Sequence, residues 1–259
     1  MTNHTIFNIV SVISLIVIVL VVGTYDYGLI TEPTNTTLRY VLKPIPLFVM
    51  VILPIFYFIL YRLHIYALLI EMVLLFCLIG DVSLMFHNSP GDHVLLIIGG
   101  ASFFIGRIIM SLAFIIYPFK SSQDVYINIT KFKLILAILV GLGYTIAMAI
   151  YFVIYMNTTV LLKILLPIYL LSMGSNLTTS ILRLGGFSQE TLRSQIFGMV
   201  GTLLFIISDT LLFWDLFINY VKYLEIVSIT IYWAAMYLIT ISIIRTNSYE
   251  SEKFQYYIL

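Results

Sequence analysis

Eight apolar stretches, each close to the ~20 residues a helix needs to cross a bilayer, follow one another along this chain. They run from Ile6 to Val22, Val41 to Leu60, His64 to Phe86, Val94 to Tyr117, Phe132 to Met156, Val160 to Arg183, Ser194 to Ile218 and Tyr223 to Ile244. In hydrocarbon every backbone N–H and C=O must be satisfied within a helix or a closed barrel, and uninterrupted apolar runs of this length favour the helix. The chain therefore reads as an all-α membrane protein of eight transmembrane helices, a single polytopic domain over residues 1–259. Composition agrees: 61% of the residues are hydrophobic and 10% charged, which excludes an ordinary soluble domain. A net charge of +1 offers no basic surface to a nucleic acid. Cys77 is the single cysteine, so neither an intrachain disulfide nor a thiolate zinc cluster can form.

Charges inside such stretches carry the functional signal. Asp81 lies within Phe76–Phe86, and an Asp at a helix centre costs about 2.5–3.5 kcal/mol on insertion scales, so a chain that keeps one pairs it or uses it. The context returns at Ser208-Asp209-Thr210-Leu211-Leu212-Phe213, in a helix running the same way. This recurrence reads as two parallel four-helix repeats, 1–120 and 121–259, about an axis along the membrane normal. Leu42-Lys43-Pro44-Ile45-Pro46-Leu47-Phe48 is echoed weakly by Leu162-Lys163 followed by Pro167-Ile168-Tyr169. Asp81 and Asp209 are the candidate catalytic pair, expected to face one outward-opening cavity with Lys43, Arg107 and Tyr232. Gly80 beside Asp81 favours it as the anion, and Phe205 and Phe213 around Asp209 favour that residue as the acid. Glu71, ten residues before Asp81 and so about 15 Å deeper, is expected to pair with Arg107 or a polar neighbour.

Small residues mark close packing: Gly198, Gly201 and Thr202 lead to Asp209, and Gly99, Ser102 and Gly106 lead to Arg107. The many Phe and Tyr residues read mostly as lipid contacts and interfacial anchors. His87, Asp92 and His93 are a polar loop before they are a metal site, and no metal or cofactor is expected. The first stretch has no basic residue before it and no small-residue cleavage pattern after it, so it reads as a retained helix. With both termini cytoplasmic, Arg62, Lys120, Lys131, Lys133, Arg183, Arg193, Arg245 and Lys253 fall inside and Arg39, Lys43, Lys163 and Lys222 outside, the expected excess. Asn35-Thr36-Thr37 and Asn157-Thr158-Thr159 then fall on outer loops as glycosylation triplets.

In order along the chain, Lys43-Pro44, Gly80-Asp81 with Leu84-Met85, Phe103 and Gly106, Gly201 with Leu204-Phe205 and Ser208-Asp209, and Tyr232 resemble the YhhN-like lysoplasmalogenase family, eight-helix membrane enzymes. Arg107 stands where that family tends to have a histidine, Met110 where a tyrosine is usual and Met236 where a glutamine is frequent. The resemblance implies hydrolysis of the vinyl ether of a lysophospholipid to a fatty aldehyde and a glycerophospho head group. Asp81 and Asp209 would be catalytic, and Lys43, Arg107, Ser208 and Tyr232 substrate-binding, with Lys43 and Arg107 on the phosphate. Protonation of the vinyl carbon calls for one acid and one anion, as in glycoside hydrolysis. The rival reading is a proton-coupled secondary transporter or channel, which needs the same buried acids and a parallel repeat.

Overall fold

The computed structural model describes residues 3–31, 40–60, 65–86, 94–120, 130–156, 158–184 and 192–256. They form α1 (Asn3–Thr31), α2 (Ile45–Leu60), α3 (Ile65–Met85), α4 (Val94–Lys120), α5 (Lys131–Tyr155), α6 (Val160–Arg183), α7 (Leu192–Phe217) and α8 (Leu224–Tyr256). Among the described residues eight spans are long and apolar enough to cross a membrane, so the expected all-α, eight-span architecture is the one found. His87, Asp92, His93, Asn35, Asn157, Arg39 and Arg62 lie outside the described residues.

Two helices outrun their apolar stretches. α1 continues past Val22 to Thr31. Gly23 does not break it, and the Thr24 hydroxyl reaches the carbonyls of Leu20 (3.0 Å) and Val21 (2.9 Å), so the polar side chain is satisfied within the helix. Tyr25 and Leu29 in this extension are buried. α8 continues past Ile244 to Tyr256 through a polar, charged stretch. At the other extreme, Lys43 does not sit inside a helix. It forms a turn with Pro44, since a residue before proline is pushed out of helical geometry, and α2 starts immediately after.

The chain separates into two compact units, Met1–Gly106 and Arg107–Leu259, with the division inside α4. In the first unit α1 packs on α2 and α2 on α3, around a core that includes Tyr25, Leu47, Met50, Leu53, Tyr66, Ile70 and Leu74. The opening turns of α4 lie close to α3. A Cβ on Gly80 would stand 2.6 Å from the Phe103 ring, and one on Gly99 2.9 Å from Leu84 Cγ and 3.2 Å from the Gly80 carbonyl.

The second unit is built from two close helix pairs. Gly141 of α5 and Gly174 of α6 face each other, and a Cβ on Gly174 would lie 2.6 Å from the Gly141 carbonyl oxygen. The hydroxyls of Thr145 and Thr178 reach carbonyls on the facing helix, Leu170 at 3.3 Å and Ala137 at 3.2 Å. α7 and α8 meet along a seven-residue repeat of small side chains. Ser194 donates to the Ser242 carbonyl (2.7 Å), Gly201 lies against the Ala235 carbonyl, and Ser208 donates to the Ser228 carbonyl (2.8 Å). Without a hydrophobic driving force between helices in lipid, such small-residue seams and interhelical hydrogen bonds hold the pair.

Candidate functional site

Within the second unit, α4, α6 and α7 share a buried polar seam. On α4, Arg107, Ser111 and Phe114 are spaced by four and three residues, and on α6 Tyr169, Asn176 and Arg183 by seven, so each set lies on one helix face. On α7, Asp209, Phe205, Thr202, Gly198 and Ser194 follow the same periodicity. The contacts pair these faces in register, with α4 and α6 in the same direction and α7 reversed.

The first rung is an ion pair. Asp209 Oδ2 accepts from Arg107 Nη2 at 2.5 Å and Nε at 3.2 Å, and from the Tyr169 hydroxyl at 2.5 Å. The same Nη2 reaches the Phe205 carbonyl at 3.4 Å. All these bonds to the carboxylate fall on Oδ2, and Oδ1 carries none of them. Arg107 is fully buried and Asp209 is 5% exposed. The guanidinium carbon lies 3.9 Å from the centroid of the Phe205 ring, which puts a cation over a π-face in a desolvated place. Tyr169 is held in turn by Phe213, edge to face at 5.1 Å between centroids. Removing charge from water at this depth costs several kcal/mol per ion, and only close, multiply bonded pairing repays it.

The second rung joins Ser111 of α4 to Asn176 of α6, Oγ to Oδ1 at 2.5 Å, both residues buried. In the third, Arg183 Nη2 donates to Ser194 Oγ at 2.8 Å, and the guanidinium lies 5.1 Å from the Phe114 ring centroid. Gly198 makes room for it: a Cβ there would stand 2.6 Å from Arg183 Nη1. From α5, Tyr144 shares a hydrogen bond with Thr210 Oγ1 at 2.9 Å. Thr210 also reaches the Ile206 carbonyl, so this contact ties α5 to the turn carrying Asp209.

The residues singled out from the sequence make the following contacts. Arg107, expected on a substrate phosphate or beside Glu71, is the counter-ion of Asp209. Glu71 is buried at 6% exposure, and neither of its oxygens meets a hydrogen-bond donor among the described residues. Ser208, expected to bind substrate, spends its hydroxyl proton on α8. Gly80 does not expose backbone beside Asp81, because the Phe103 ring occupies the space a side chain would take. Part of the aromatic complement is core rather than lipid contact: Tyr25, Tyr57, Tyr66, Phe103, Phe114, Phe152, Phe205 and Tyr232 are buried. Tyr232 packs on Phe205, with centroids 5.6 Å apart. In the first unit Asp81 is buried at 5% exposure on α3, and Lys43 is half-buried in the turn before α2. Tyr169 is the site residue that sequence reasoning missed; its signal was the seven-residue spacing to Asn176 and Arg183.

Fold and cluster together define an eight-helix membrane protein that keeps an ion-paired carboxylate, capped by a phenol, inside its transmembrane region. The chain belongs to the YhhN family, whose model matches residues 38–243. No curated protein and no solved structure matches it.

Proposed function

We propose that the protein is a membrane-embedded hydrolase that cleaves the vinyl ether of lysoplasmalogens, releasing a fatty aldehyde and a glycerophospho head group. The observation that carries this reading is the pairing of Asp209: the Arg107 guanidinium at 2.5 Å and the Tyr169 hydroxyl both hold its Oδ2. We therefore assign Asp209 as the anion of the catalytic pair, with Oδ1 as the oxygen that accepts a proton. This reverses the assignment that Phe205 and Phe213 favoured. Phe205 brings apolar surroundings, but it brings them to the pair rather than to a lone acid.

In the proposed reaction the acid is Asp81. Its proton adds to the vinyl carbon distal to oxygen and leaves an oxocarbenium ion at the carbon bearing oxygen. Water adds there and gives a proton to Asp209, forming a hemiacetal. Collapse passes the Asp209 proton to the departing glycerol oxygen and the hemiacetal proton to Asp81, which restores both groups. An anion fixed in place before the cation develops lowers the barrier without reorganisation. Lys43 is assigned to the substrate phosphate as a point charge in a turn, with both termini cytoplasmic. Tyr169→Phe tests the central role of the cluster. It removes one charge-assisted bond to the base and leaves the ion pair, so the rate of aldehyde release should fall with little change in KM. An unchanged rate in a folded variant would remove the Tyr169 phenol from the chemistry, and an unchanged rate in folded Asp209→Asn would remove Asp209.

A further inference from the structure

The Asp209–Arg107 rung and the Ser111–Asn176 rung each leave a polar group that no described protein atom meets. Arg107 Nη1 and Asn176 Nδ2 are both buried with no hydrogen-bond partner among the described residues, and both residues are 0% exposed. Arg107 turns its Nε and Nη2 edge to Asp209, so Nη1 lies on the opposite side of the planar fork. Ser111 is one turn beyond Arg107 on the same face of α4, a rise of about 6 Å. It fixes one end of the Asn176 amide at that level. An unmet donor in a low-dielectric interior is costly, and two of them on facing helices one turn apart call for a common partner.

We infer that one or two ordered water molecules bridge Arg107 Nη1 to the Asn176 amide, an internal water site on the α4–α6 seam. Water fits better than an anion. If the Asn176 amide is turned over, Nδ2 faces Ser111 and a carbonyl oxygen is left instead. Water serves either orientation because it both accepts and donates, whereas an anion serves only one. Buried waters typically hold about three hydrogen bonds to such otherwise unmet groups. Resting on the hydrolytic reading, the site also has a use: it stores the co-substrate beside the Arg107–Asp209 pair, deep in a membrane where water is scarce. Asn176 is then a positioning residue for water, not a catalytic one.

Synchrotron radiolysis of the protein in lipid nanodiscs tests this, because hydroxyl radicals label buried side chains only where a water is bound beside them. Tyr169 and Phe205 next to Arg107 should be labelled in the folded parent protein. Asn176→Leu, which keeps the volume and removes both ends of the amide, should lose that label while labelling at the membrane surface stays unchanged. Ser111→Ala, a smaller change that should fold even where Asn176→Leu does not, releases the amide and should also reduce it. Protected Tyr169 and Phe205 in the parent, or equal labelling in the folded variants, would overturn the proposal. Label without aldehyde release would sink the hydrolytic reading and leave the water site standing, and aldehyde release without label would do the reverse.

Discussion

Replacing Arg107 by Met tests the ion pair on which the site depends. Met keeps the length and much of the volume of the side chain but removes two contacts to Asp209 Oδ2, at 2.5 and 3.2 Å, one to the Phe205 carbonyl, and the cation over the Phe205 ring. What remains on Asp209 is the Tyr169 hydroxyl. Removing one member of a buried pair costs about 3–5 kcal/mol, most of it from the stranded partner. Asp209→Leu should cost a similar amount by stranding the guanidinium. The double variant strands neither charge. Its expected cost is the unmet Tyr169 hydroxyl, about 1–3 kcal/mol, against about 6–10 kcal/mol were the single costs additive. Reversible denaturation in mixed micelles, followed through the buried Trp233, would measure all four corners of the cycle. Additive losses, or single variants as stable as the parent, would refute the pairing.

Other consequences follow from single contacts. Gly174→Ala would place a Cβ 2.6 Å from the Gly141 carbonyl; backbone cannot swing aside, so α5 and α6 must part, at about 1–3 kcal/mol in the same denaturation assay. Gly80→Ala should push on the Phe103 ring and destabilise the first unit, and Phe103→Leu in the same chain should restore much of the loss. Lys43→Ala should raise KM for a lysophospholipid substrate well beyond any change in melting temperature, which a head-group anchor would not do.

The sequence revealed the scaffold because the scaffold is set by length and hydropathy, and both are local. α3 through α7 fall within a few residues of their apolar stretches, and the ends that moved, at Thr31 and Tyr256, are where polar residues continued a helix instead of stopping it. Asp209 and Arg107 were each legible as costly intramembrane charges. Their pairing was not, because it joins residues 102 positions apart, beside a tyrosine that looked like any other among 19. The small-residue seam of Ser194, Gly201 and Ser208 was half legible. Gly201 was read as a packing position, but Ser208 was read by its neighbour Asp209 rather than by its seven-residue spacing. Phe205 shows the same limit: a large apolar side chain next to a carboxylate suggests desolvation, and only the fold reveals that a guanidinium lies between the ring and the acid.

The most direct test of the hydrolytic account is turnover of a defined lysoplasmalogen by purified protein in D2O, with the aldehyde trapped by reduction as it forms. Proton transfer to the vinyl carbon predicts equal amounts of fatty aldehyde and glycerophospho head group, and a single deuterium on the carbon next to the carbonyl. Asp81→Asn and Asp209→Asn, where folded, should yield almost none. Aldehyde without that deuterium would contradict carbon protonation, and no aldehyde from the folded parent protein would contradict the function itself.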